Sequence, residues 1–182
     1  MKINVSDELP LPAEEVFGLI RDRMPELVPF LHDIEGITVT ERVEEGDTVR
    51  IVNLWQGSLN KVPGPVMKFV KPELASWNDH AVWTTSDRTA RWRLEPRVGT
   101  KVFECHGTTK IVEVSDETCR LVLDIDLEIH PERIPGVPRI LARRFRGKVE
   151  SMIAGLLTPN MKNLAGSIRT WAKSSPAPSE SC

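Results

Sequence analysis

From position 120 to position 130, hydrophobic and polar side chains alternate almost without a break. Leu121, Leu123, Ile125, Leu127 and Ile129 fall on one side, and Arg120, Asp124, Asp126, Glu128 and His130 on the other, with only Val122 out of step. A period of two predicts a strand with one buried face and one wet face. Upstream, "TKVFECHGTTKIVEV" alternates in the same way and is joined to it by "SDE". "LASWNDHAVWTT" and "RTARWRLEP" form a second pair, joined near Ser86 and Asp87, and "ITVTERV" and "TVRIVNLWQGSL" flank the turn signal "EEGD". These read as successive hairpins. Residues 2–9 predict one further strand, which makes about seven in all.

Two stretches have a helical period instead. In "LPLPAEEVFGLIRDR", Pro12 stands at the start and Glu14 and Glu15 favour the positive helix end. Val16, Phe17, Leu19 and Ile20 form one apolar face. Pro25 breaks this helix and allows a second short one over "PELVPFLHDI", ending before Gly36. Near the C-terminus, Phe145, Val149, Met152, Ile153, Leu156, Leu157, Met161, Leu164, Ile168 and Trp171 recur at helical spacing. A helix of about 30 residues is about 45 Å long, enough to lie across an entire curved sheet. Between these elements, "NKVPGPVMKFVKPE" reads as a loop and "PERIPGVP" stops the sheet. The fold class is therefore α+β: a curved antiparallel sheet wrapped around a long C-terminal helix, with two short helices after the first strand.

The long helix carries costs. Gly147, Gly155 and Gly166 each lose roughly 1 kcal/mol against alanine, and Pro159 cannot donate to the carbonyl of Gly155. The Gly155 and Pro159 pair predicts a kink. Either the helix bends around or opens a cavity, or its glycines allow close packing on the sheet.

Composition narrows the function. Hydrophobic residues are 40% and charged residues 27%, with a net charge of -2. This is ordinary for a globular domain and gives no nucleic-acid footprint. No apolar run reaches about 18 residues, and the start lacks a signal-peptide layout. Three cysteines, Cys105, Cys119 and Cys182, lack CxxC spacing. They suit a reducing cytoplasm better than a disulfide framework or a zinc site. The tail "SSPAPSESC" is small and polar, which predicts disorder over 174–182.

The element order resembles the START-like superfamily, also called SRPBCC or helix-grip proteins, and in particular its bacterial polyketide cyclase-like members. "LPLPAEEVFGLI" after strand one, the central strands and "RFRGKVESMIAGLL" carry the likeness over about residues 1–173, and "NKVPGPVMKFVKPELASW" looks like a feature of bacterial members. The resemblance implies one ligand-binding domain, 1–173. Sheet and helix would enclose an apolar cavity for a lipid, polyketide or similar guest.

Alternation supplies candidate lining residues. Asn53 shares a face with Val49, Ile51 and Trp55, and Asp79 shares one with Trp77, Ala81 and Trp83. Trp92 lies with Ala90 and Leu94, and Thr109 with Phe103, Cys105 and Ile111. Leu123 and Ile125 join them from the last strand, and Met152 and Leu156 from the helix. A carboxylate on such a face must pair, accept hydrogen bonds or raise its pKa, which makes Asp79 the residue of most interest. The alternative is a bulge near Asn78 that sends Asp79 to solvent.

The four histidines, His32, His80, His106 and His130, have no metal spacing, and no phosphate loop or GxSxG elbow occurs. No metal, cofactor or catalytic constellation is expected from the sequence. His106 and His130 are placed on wet faces, as are Arg91, Arg93 and the Asp124 and Asp126 pair, while His32 could cap a helix. Three functions remain open. The first is a small-molecule binder. The second is a cyclase, aromatase or hydratase using Asp79, Asn53 and Thr109 for proton transfer. The third is a protein-binding co-regulator whose cavity is filled by its own tryptophans.

Overall fold

A computed structural model describes residues 1–60, 72–98, 102–130, 133, 140, 144 and 146–174. Seven strands, β1 (Lys2–Leu9), β2 (Ile34–Glu45), β3 (Thr48–Gly57), β4 (Ser76–Thr84), β5 (Thr89–Pro96), β6 (Phe103–Ser115) and β7 (Thr118–Ile129), form one antiparallel sheet in the order β1-β7-β6-β5-β4-β3-β2. From β2 to β7 each strand pairs with the next, as a meander of hairpins requires. β1 instead joins the last strand at the far edge, so the chain must cross the sheet to reach β2. It does so through α1 (Ala13–Asp22) and a 3-10 helix, Met24–Phe30. The long helix α2 (Arg146–Ser174) packs against that 3-10 segment, β1 and β7. This is the α+β helix-grip architecture.

The inward face follows the alternation. On β7, Cys119, Leu121, Leu123, Ile125 and Leu127 are buried, while Arg120, Asp124 and Glu128 are exposed. On α1, Val16, Phe17, Leu19 and Ile20 are buried, and the Phe17 ring meets Trp83 of β4 edge to face, centroids 5.5 Å apart. Burying such side chains contributes about 1.5–3 kcal/mol each, and the edge-to-face geometry suits the ring quadrupoles. The β2–β3 turn needs a left-handed residue and has Gly46 there, φ 60.

Several expectations are corrected. The second short helix ends at Phe30 rather than running to Ile34, because Pro29 lies inside it and Asp33 takes a left-handed φ of 53. β2 therefore begins at Ile34, before Gly36, and carries register shifts at Ile34/Gly36 and Val39/Glu41. His130 lies within 4.0 Å of Glu104 and Glu128, the exposed residues of the wet face, and is itself half-buried there. In α2, Pro159 stays within the helix and the non-helical residue is Asn163 (φ -116, ψ 16). The Ser167 hydroxyl donates to the Asn163 carbonyl at 3.3 Å, a back-bond that bends helices. A Cβ on Gly166 would lie 2.2 Å from Asn163 Oδ1, whereas at Gly147 and Gly155 it would meet nothing within 4 Å. Space thus constrains Gly166 through Asn163 of its own helix rather than through the sheet, and does not constrain the other two.

The Pro63-Gly64-Pro65 turn, Phe145, the side chains of Met152 and Leu156, and residues 175–182 lie outside the described residues; Ser174 is the last residue of α2. No described helix is long and apolar enough to cross a membrane.

Candidate functional site

Between the sheet and the helices lies a partly enclosed cavity of about 110 Å³. Its floor is built from the middle strands. Asn53 and Trp55 come from β3, Trp77, Asp79, Ala81 and Trp83 from β4, and Trp92 and Leu94 from β5. Thr109 of β6 and Leu123 and Ile125 of β7 complete it. The roof is Ile20 of α1, Met24 and Leu31, and then Leu157, Asn160, Met161 and Leu164 of α2. Phe103 does not line the space. It is buried at the far end of β6 opposite Ile129, where the sheet ends, and belongs to the core.

Register settles the direction of Asp79. Asn53 pairs with Asp79, Asp79 with Leu94 and Leu94 with Cys105, and no shift interrupts β3, β4 and β5. The bulge that would turn Asp79 outward is absent, so its side chain shares the inward face with Trp77 and Trp83. The outward neighbours behave as wet positions should. His80 lies 3.0 Å from Glu95, and Arg91 and Arg93 are exposed.

The tryptophans line the space instead of filling it. Trp55 and Trp77 stack at 5.9 Å with an interplanar angle of 18°. Trp92 donates from Nε1 to Thr109 Oγ1 at 3.0 Å. Its ring lies over Gly107, where a Cβ would come within 2.6 Å of Trp92 Cζ2 and 2.5 Å of the Asp124 carbonyl. A glycine inside a strand often marks such a close approach, and Gly107 was readable on that ground.

On the cavity wall, Asn53 Oδ1, Trp55 Nε1 and Asp79 Oδ1 are shut off from water without a hydrogen bond of good geometry, although the Trp55 and Asn53 side chains lie near enough to pull on the Asp79 carboxyl. Asn53 is buried, and Asp79 is half-buried and lines the cavity. Burial raises the Asp79 carboxyl from 3.8 to about 7, against the pull of the Trp55 and Asn53 side chains. Burial also pushes the Cys105 thiol up to about 12, with Asp79 and Asp126 adding to it. Cys105 and Cys119 are both free and buried, and burial raises Cys119 as well. Among the described residues no group of His, Cys, Asp and Glu is arranged to hold a metal ion.

Asn160 was missed by the sequence reading, although it falls on the same stripe as Leu157, Met161 and Leu164. It anchors the roof: its Nδ2 donates to the His32 carbonyl at 2.8 Å, and His32 N donates back to its Oδ1 at 2.6 Å. Further along α2, the Ser167 hydroxyl donates to the Phe30 carbonyl at 2.9 Å and Trp171 Nε1 to Glu26 at 3.2 Å. The helix is therefore fixed to the 3-10 segment on one side of the cavity.

No protein-family model matches the chain. No curated protein matches it either. Solved structures do. The Zhui aromatase/cyclase from Streptomyces sp. R1128 superposes with a TM-score of 0.61 at 12% identity, over 95% of this chain and 92% of that one. Norcoclaurine synthase from Thalictrum flavum, solved with dopamine and hydroxybenzaldehyde, gives 0.56 at 10% identity, over 98% and 89%. An 18 kDa protein from Caulobacter crescentus gives 0.53 at 12% identity, over 96% and 99%. At such identities the likeness concerns the fold. The chain has a helix-grip fold, which it shares with the aromatase/cyclase.

Proposed function

We propose that this protein binds a compact hydrophobic or amphipathic small molecule between the sheet and α2. The observation that carries the reading is the composition of the cavity wall. It is apolar and aromatic apart from Thr109 and Asn160, which are paired within the protein, and the cluster of Asn53, Trp55 and Asp79. Such convergence in an apolar cleft suits a site that orients one guest. The volume of about 110 Å³ favours a small body, or one end of a longer lipid or polyketide, over a large guest fully enclosed.

Native mass spectrometry of the purified protein tests this. A bound mass should be present, or be acquired from a small-molecule extract. It should be lost when Ala81→Phe fills the floor or Leu157→Trp fills the roof, with the fold checked by circular dichroism. A folded wild type that carries no guest and takes none from extracts overturns the reading, as does undiminished uptake by both filled variants.

A second reading is enzymatic: cyclase, aromatase or hydratase chemistry in the same cavity. It is favoured by the Asp79 carboxyl at about 7, where it could give or take a proton near neutral pH, and by the fold likeness to an aromatase/cyclase. Asn53 would hold the reacting oxygen, and Thr109 would act through Trp92. Turnover of the identified guest, lost in Asp79→Asn while binding persists, would establish it. Unchanged turnover in that variant would exclude Asp79.

A further inference from the structure

The polar atoms of the cavity also specify the class of guest. This inference rests on the binding reading above. We propose that the guest is a small amine, protonated in solution and built on a single ring. Its ammonium would pair with the Asp79 carboxylate where that side chain lines the cavity, and its apolar body would lie against the stacked Trp55 and Trp77.

Three observations carry it. First, Asp79 lines the cavity on the inward face, directly across from Asn53 of the neighbouring strand, so its carboxyl is placed to meet a donor on the guest. An ammonium has three donors. Second, Asp79 is the only charge-capable side chain among the described residues that line the cavity. No arginine or lysine on the wall neutralises it, and an anionic guest would meet repulsion with no compensating cation. A buried carboxylate with only neutral partners is costly, and a cation brought in by the guest offsets that cost. Third, four tryptophans line the same cavity as the carboxyl. Their faces attract cations more strongly than those of other aromatic residues. The size limit is physical: a closed cavity of about 150 Å³ takes benzene, so about 110 Å³ with one open side takes one ring.

The binding should depend on pH. Only the ionised carboxyl pairs with the ammonium, and Asp79 titrates at about 7 in the free protein. The titratable group that interacts with it is Cys105 of β6, whose thiol stays neutral. The described lining residues from β3, β5, α1, the 3-10 segment and α2 carry no charge. The ionised fraction rises about tenfold from pH 6 to pH 8, and apparent affinity scales with that fraction.

Isothermal titration with benzylamine, benzyl alcohol and toluene at both pH values tests the proposal. Benzylamine should bind at least tenfold tighter than benzyl alcohol at pH 8 and lose about tenfold at pH 6. Asp79→Asn, folded by circular dichroism, should lose the preference for the amine while still binding the alcohol. Equal affinity for amine and alcohol at pH 8, or an unaltered preference in Asp79→Asn, overturns the amine assignment and leaves a neutral guest. Failure of all three probes to bind at millimolar concentration overturns the one-ring guest, while the binding reading falls only if native mass spectrometry also finds no guest.

Discussion

Asp79 is the residue at which stability and function pull apart. Its carboxyl has an ordinary value of 3.8 and is held at about 7, first by burial. Between those values the folded protein keeps a proton that the unfolded chain has lost. Stability therefore falls as pH rises from about 4 and levels off above about 7, by on the order of 4 kcal/mol at most. Asp79→Asn removes this slope. In urea denaturation the variant should match the wild type near pH 4 and exceed it at pH 8, while a wild type that is as stable as the variant at pH 8 would show that Asp79 is solvated. Gly107 is the opposite kind of residue, constrained by space alone. Gly107→Ala drives a methyl into the Trp92 ring and the Asp124 carbonyl. It should cost about 1–3 kcal/mol and release the Trp92–Thr109 hydrogen bond, and an unchanged urea midpoint would contradict this.

Strand and helix spans were legible because period two and period 3.6 are properties of local sequence. The hairpin from β6 to β7 was legible nearly to the residue. The kink in α2 was not. Pro159 announces a break, yet the backbone departs from helix at Asn163, where the Ser167 hydroxyl and the room beside Gly166 decide the geometry. Those are tertiary and side-chain terms that spacing cannot supply. Two substitutions separate the roles of α2. Asn160→Ala deletes both bonds to the His32 backbone and should cost about 1–2 kcal/mol, read as a lower unfolding midpoint. Gly155→Ala adds a methyl where no atom lies within 4 Å. It should therefore gain about 1 kcal/mol, and a loss instead would mean that position 155 needs backbone freedom that alanine denies.

At the scale of the whole molecule, strand alternation and the common curvature of the sheet determine which side chains meet. Asn53 and Asp79 could be placed on inward faces one strand at a time, but their pairing across β3 and β4 depends on register, which no single strand contains. The same convergence gathers four of the five tryptophans on the cavity wall, while Trp171 lies apart against Glu26 with Arg23 over its ring. The chain has no tyrosine, so its intrinsic emission comes from tryptophan, and most of it from one cavity. Ionisation of Asp79 places a charge beside Trp55 and must change that emission. A fluorescence titration of the free protein should therefore show a transition near pH 7 that persists in Trp171→Phe and vanishes in Asp79→Asn. A transition that survives Asp79→Asn would belong to another group, and a flat profile in the wild type would mean that the carboxyl and the indoles do not share a single desolvated space.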